Sequence, residues 1–502
     1  MKSRVARALL VLLIVVPGGG AAAAPRVARA DPPAAIPGRT CDVTFHGDGL
    51  ADAVSLWTSF PSEAVVAPAT DGAGGRSVTF RVTVPRGVPP GIGAARVGTL
   101  QGVSNIALLL VDDLAAARCA GRNGAPDAAT LLDPPTAIDG VCANEASRWY
   151  SFEARAGERI DVEVAAARLG SALDPLLRIL DPSGREAILC DDTPGSAPDL
   201  RTGFTARSAG RHLLEIRDAA HGGGPEHRFR LRLGGAPFRG NPLPLREAPA
   251  PEPEPNDTRE TSVPVTVPSS VAGLFDRPGD RDWYRFNARK GERIAFVARS
   301  RSLGFEGDVY LSIHDAEGKR LVEANLAGIG PLGEGAVEHV FAAEGAYYLL
   351  AEEVNLGGGP GHEYRLECRP LGAGFALTAQ AESFSGPAGG EIAVQVECVR
   401  AGHEGPVEIA LAGEPRGLRI LEPLLPRGKK ETAVRIVLPA DLAPGEVIPF
   451  RLEGRVAVGD RTLIVPVSTL PVLRTLFPRR PFPPAFLDGA MAAGAVEKVR
   501  AF

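Results

Sequence analysis

The stretch WYSFEARAGERI, beginning at Trp149, returns almost unchanged as WYRFNARKGERI at Trp283, 134 residues further on. A chain that repeats itself at a fixed interval is built from repeated folding units, so this pair restricts the architecture more than any single motif does. The match extends. ALDPLLRILDPSGRE from Ala172 lines up with EGDVYLSIHDAEGKR from Glu306, so that Asp174 meets Asp308 and Gly184 meets Gly318 at the same offset. After one inserted residue, GRHLLEIRDAAHGGGPEHRFRLRL from Gly210 matches GAYYLLAEEVNLGGGPGHEYRLEC from Gly345 at an offset of 135. Such an ordered series is the signature of duplication.

The repeated unit reads as strand, glycine turn, strand. Short runs such as SVTFRVTV, RIDVEV, HRFRLRL and EIAVQVECV place apolar side chains at every second position, the period of half-buried strands. Turn signals such as HGDG, DPSGR and DAEGK separate them. Helical periodicity is nearly absent, and LDGAMAAGAVEKVRAF at the C-terminus, with two glycines, is only a weak helix candidate. A length of 502 residues exceeds one hydrophobic core. Seven prolines within residues 236–257 mark a semi-rigid linker that puts the two copies in separate domains.

The N-terminus carries Lys2, Arg4 and Arg7, then ALLVLLIVV, then the small-residue site VARA ending at Ala30, the pattern of a secretory signal peptide. The A-x-A at Ala28 to Ala30 is the favoured cleavage site, which starts the exported chain near Asp31. No later run is apolar enough to span a bilayer. Removing residues 1–30 takes away five basic and no acidic residues, moving the net charge from −5 to −10. An acidic product excludes nucleic acid as the expected partner. Cys41, Cys119, Cys142, Cys190, Cys368 and Cys398 permit three disulfides in an exported protein, with free buried thiols as the alternative.

The series PEPND, AGLFDRPGDRDWYRFNARKGERI, GDVYLSIHDAEGK, AAEGAYYLLAEE and GGGPGHEYRLEC resembles the bacterial pre-peptidase C-terminal domain, a β-sandwich module found behind many secreted peptidases. The resemblance covers residues 258–369 and, more loosely, 134–235. The flanks read as two further sandwiches. Residues 38–114 look like an immunoglobulin-like module of the TIG kind, and residues 371–470 like a second immunoglobulin-like domain with about seven strands. The expected architecture is all-β: two jelly-roll-like repeats and two immunoglobulin-like domains in tandem, with residues 1–30 a signal peptide, 236–257 a linker and 471–502 a tail.

Catalytic motifs are missing from the sequence. None of the eight histidines lies in a zinc-protease motif, no G-x-S-x-G occurs, and ARSAG around Ser208 precedes a strand rather than a helix. The acidic loop residues Asp174, Asp191, Asp192, Asp199 and Asp218 of the first repeat are calcium candidates, since hard cations want several oxygen ligands and the resemblance implies calcium in some relatives. The second repeat keeps part of the set, with Asp308 for Asp174, Glu353 for Asp218 and Asn325 in place of Asp191. Turn capping in water is the alternative for these acids, and for Asp276, Asp280 and Asp282 in DRPGDRDWY it is the favoured reading. Trp149 and Trp283 are expected in the core; Trp57 is the freer ring for a carbohydrate ligand, but core placement is the favoured reading for it too. The expected function is binding, adhesion or scaffolding of an extracellular or cell-surface protein or polysaccharide, without a catalytic site. The alternative is an accessory or targeting subunit of a separately encoded secreted peptidase or other hydrolase.

Overall fold

A computed structural model describes residues 24–68, 75–117, 123–193, 196, 198–235, 250–323, 334–371, 374–458, 461–480 and 482–497. The chain is all-β, as its period-two runs require. Each repeat is a pair of five-stranded sheets, and strand for strand the order in the second is that of the first. In the first repeat the Arg148–Ala154 strand lies beside Gly210–Asp218, and in the second Arg281–Ala288 lies beside Gly345–Glu353, pairing Arg148 with Ile216 and Asp282 with Ala351. The GER turn is built identically: Gly157 and Gly291 adopt φ of 82° and 80°, and the Glu158 and Glu292 carboxylates each accept the N–H three residues back at 2.8 Å. This explains why those letters recur.

Alternation along the repeated strand places Tyr150, Phe152 and Ala154, and likewise Tyr284, Phe286 and Ala288, in the two cores. Trp149 and Trp283, one position out of phase, stand outside the two core clusters, although Trp149 is itself buried. Trp149 is covered by the Arg178 guanidinium, and Trp283 is half-buried against His314 and Tyr348.

Both flanking domains are sandwiches whose boundaries differ from the expected ones. The first starts at the strand Arg26–Asp31, which pairs with Thr40–Asp48 and buries Val27 and Ala30. The cleavage expected at Ala30 would cut this strand, whereas a break after Ala24 would leave it whole; residues 1–23 lie outside the described residues. The first repeat begins upstream of residue 134, at the short strands Ala116–Ala117 and Thr130–Leu131. The second begins within the proline-rich stretch, because Ala250–Pro251 pairs with the Ser269–Leu274 strand.

The C-terminal sequence carries a strand where its weak helical pattern lay. Leu470–Leu476 is a short helix, and Met491–Val496 inserts between Ser383–Pro387 and Val447–Phe450 of the last sandwich. Its small residues suit the place: a Cβ on Gly494 would stand 2.9 Å from Val103 of the first sandwich. The Arg96–Glu382 pair, 1 % and 3 % exposed, joins the first and last sandwiches, and Arg96 also donates to the Ala490 carbonyl at 3.0 Å. Leu473, Phe477 and Leu487 share a buried cluster with Leu108 and Leu110 of the first sandwich and Leu169 of the first repeat. The first sandwich, the first repeat and the last sandwich are thus clamped together, and the Arg201–Glu306 ion pair joins the second repeat to the first.

Among the described residues no disulfide forms. Cys41, Cys142, Cys190, Cys368 and Cys398 are free thiols on separate strands or strand ends, and Cys119 lies outside the described residues.

Candidate functional site

The second repeat contains a carboxylate nest at the foot of the repeated strand. Asp282 is in phase with Tyr284 and Phe286, so strand alternation drives its side chain inward, where it is fully buried. The end of the proline-rich stretch folds back and adds Glu252 and Glu254, giving three carboxylates with oxygens within 4.8 Å of one another. Tyr284 donates to Glu252, Tyr364 donates to Asp282, and the two phenol oxygens are 2.6 Å apart. The Leu274 N–H reaches Glu252 at 2.6 Å, and the Asn256 N–H reaches Glu254 at 3.0 Å.

Two oxygens in this nest lack donors. Asp282 Oδ1 and Asn256 Oδ1 are buried without a hydrogen-bond partner among the described residues. Burial, with the charge of Glu252 beside it, pushes the Asp282 carboxyl up to about 9, and burial raises Glu252 to about 7. Asp280 is raised by burial to about 6 although it accepts the N–H groups of Asp276 and Arg281. Crowded carboxylates that resist ionisation, with orphaned oxygens aimed among them, fit a hard cation, which would supply the missing positive charge.

The five acids singled out in the first repeat divide into two groups. Asp174, Asp191 and Asp192 converge, their oxygens within 4.8 Å, at an exposed edge. Burial and the Asp192 charge raise Asp174, while Arg479 approaches it at 3.6 Å. Asp199 and Asp218 serve the backbone instead. Asp199, fully buried, accepts the N–H groups of Ala166, Ala167 and Arg168 and the Arg168 guanidinium. Its counterpart Glu334 accepts from Ser300 and Ser302. Asp218 accepts from Asp174, Ala220 and Gly222, and Glu353 accepts from Asp308 and Gly357 in the same manner. Asn325 lies outside the described residues. The Glu252 nest escaped the sequence reading because its acids were assigned to a linker and a solvated turn. The signal that finds it is an aspartate in register with core aromatics.

Trp57 lines a cleft of about 500 Å³ between the first and last sandwiches, with Phe450, Phe486, Glu414 and Arg451. It is half-buried and packs against the cluster of Leu108, Leu110 and Leu473. Among the described cysteines, burial pushes the Cys142 thiol up to about 12 and Cys368 to about 11, away from nucleophilic thiolate.

No family model matches the chain, and no curated protein matches it. Solved structures with similar folds include the pre-peptidase C-terminal domain of a Bacillus anthracis collagenase, at 17% identity over 24% of this chain and 100% of that one, with a TM-score of 0.18. A second is PliG of Aeromonas hydrophila, a periplasmic inhibitor of g-type lysozyme, at 13% identity over 22% and 99% with a TM-score of 0.17. A third is SGBP-B of the Bacteroides ovatus mixed-linkage glucan utilization locus, solved with a heptasaccharide, at 9% identity over 67% and 71% with a TM-score of 0.16. No helix among the described residues is long and apolar enough to cross a membrane.

Proposed function

We propose that this chain is an exported binding protein of the cell envelope without a catalytic centre of its own, a scaffold whose second repeat is stapled by a hard divalent cation, calcium in the first instance. The observation that carries the reading is the nest of Glu252, Glu254 and Asp282 with the orphaned oxygens of Asp282 and Asn256. Glu252 and Glu254 come from the proline-rich segment, whereas Asp282 comes from the sandwich, so a shared cation ties the spacer to the domain it precedes. The experiment is thermal unfolding in excess calcium and in EDTA. A ligand that binds only the folded state raises the midpoint, so equal midpoints sink the cation.

The partner side of the proposal rests on Trp57. A half-buried ring beside polar side chains, in a cleft formed by two clamped domains, suits a polysaccharide strand, whose sugar faces stack on aromatics. Affinity electrophoresis against envelope polysaccharides tests it: retardation that Trp57→Ala abolishes supports a glycan, and retardation unchanged by the substitution refutes the cleft.

A further inference from the structure

The place of the carboxylate nest exists in the first repeat as well, with its charge inverted. The backbone carbonyl of Asn123 accepts the Trp149 backbone N–H at 2.8 Å as that of Asn256 accepts the Trp283 backbone N–H at 2.9 Å, and Tyr150 corresponds to Tyr284. Equivalent strand registers then put Arg148 where Asp282 stands, Phe229 where Tyr364 stands and Arg228 where Glu363 stands. These first-repeat residues line a cavity of about 370 Å³, closed on one side by Ala30 and Asp31 of the first sandwich.

Arg228 is only 8 % exposed, yet a single nitrogen is engaged: Nη1 donates to the Ala30 carbonyl at 3.1 Å. Nε and Nη2 have no partner among the described residues. These two groups present parallel N–H bonds on one edge of the guanidinium plane, the fork that receives both oxygens of a carboxylate. A buried cation with this edge unpaired is disfavoured until something accepts from it. Arg148, on the cavity wall, spends Nε on the Val141 carbonyl and Nη1 on Asn123, with no partner for Nη2 among the described residues. The acids nearby are mostly committed elsewhere. Asp139 is held by Arg230 at 2.8 Å and Glu226 by Arg29 at 3.3 Å, leaving exposed Asp31 at the rim.

We infer that this cavity is a binding site for the carboxylate of a small organic acid, received by the Arg228 fork with Arg148 at its edge. Two further carboxylates on the wall, Asp31 and Asp139, select a monoanion over dianionic phosphate. The assignment stands on Arg228 and is independent of whether the second repeat holds a cation.

Thermal unfolding of residues 25–502, which keep the Arg26–Asp31 strand and the Ala30 carbonyl, titrated with acetate, D-glucuronate, inorganic phosphate and, at matched ionic strength, sodium chloride, tests it. The expected result is a saturable rise in Tm with acetate or D-glucuronate, weaker with phosphate and absent with chloride. Arg228→Lys, which keeps the charge and loses the fork, should weaken the carboxylate response about tenfold or more, and Arg148→Gln by a smaller factor. Asp282→Asn should leave it unchanged. Absence of a saturable carboxylate response, an equal response to chloride, or a response untouched in both arginine variants would overturn the site. Should Arg228→Lys fail to fold, the chloride control and the surface-proximal Arg148→Gln decide alone: a carboxylate response that Arg148→Gln leaves intact then refutes it.

Discussion

The two repeats share strand order, turns and capping carboxylates, yet they treat the face turned away from the core on the Arg159–Ala165 and Arg293–Arg299 strands in opposite ways. In the first, Glu163 is buried among Arg168, Arg201 and Arg232, at 2.5, 3.3 and 3.3 Å, and Arg232 continues to Asp112 and Asp113 of the segment leading from the first sandwich. At the same registers the second repeat has Val297, Ser302, Ala336 and Glu367. Duplication has preserved the backbone and reassigned its charges: the first copy uses ions to lock its neighbours in place, and the second gathers carboxylates at the strand foot. Fold and charge diverge independently in sandwiches because alternate residues face opposite sides, so one face can change while the other keeps the core.

Importing one repeat's solution into the other is the most severe test. Glu163→Val, which writes the second repeat's residue into the first, leaves two buried guanidinium groups, Arg168 and Arg232, and the half-buried Arg201 short of an anion. It should cost about 3–5 kcal/mol in urea unfolding, against little for Val297→Ala at the partly buried counterpart. A cost below that of Val297→Ala would mean that the network is incidental.

Acid probes the same asymmetry. Burial opposes the charge of Glu163, but Arg168, Arg201 and Arg232 prevail and hold its carboxyl at about 2, below its ordinary 4.5. Because the folded value is the lower one, this stabilisation is fully present above about pH 4.5 and is lost as pH falls toward 2. The loss amounts to about 3 kcal/mol. A Glu163→Gln chain should show a correspondingly flatter acid limb, and identical limbs would contradict the network.

Cation removal should act on the other copy. Calcium at a hundredfold its dissociation constant adds about 2.7 kcal/mol, and Asp282→Asn should erase that gain, whereas Asp191→Asn in the exposed first-repeat cluster should not. If Asp191→Asn erases it instead, the cation belongs to the first repeat. The smallest effect is expected from Arg479→Ala. Its exposed contact with Asp174, like that of Arg301 with Asp308 in the second repeat, is worth under about 1 kcal/mol.

Much of this comparison was legible in the letters. The offsets of 134 and 135 placed Asp174 on Asp308 and Asp218 on Glu353, and the structure gives the members of the second pair one job. What could not be read was which carboxylates the chain buries. Asp199 looks like a loop acid until the turn at Ala166 to Arg168 is folded onto it. Glu252 meets Asp282 only because the proline-rich segment returns to the sheet, a tertiary event without local pattern. The placement of Trp149 and Trp283 outside the core clusters was available from strand phase alone, since Tyr150 and Tyr284 occupy the core register.

The strand Met491–Val496 carries one more consequence. It completes the sheet of the last sandwich while Glu497 donates its N–H to the Leu100 carbonyl of the first, at 2.8 Å. During synthesis the first sandwich is complete hundreds of residues before the strand that receives it. Its docking face, with Arg96 awaiting Glu382, stays open until the C-terminal segment arrives, which makes a cut in that segment equivalent to leaving the opposite end of the molecule unsealed.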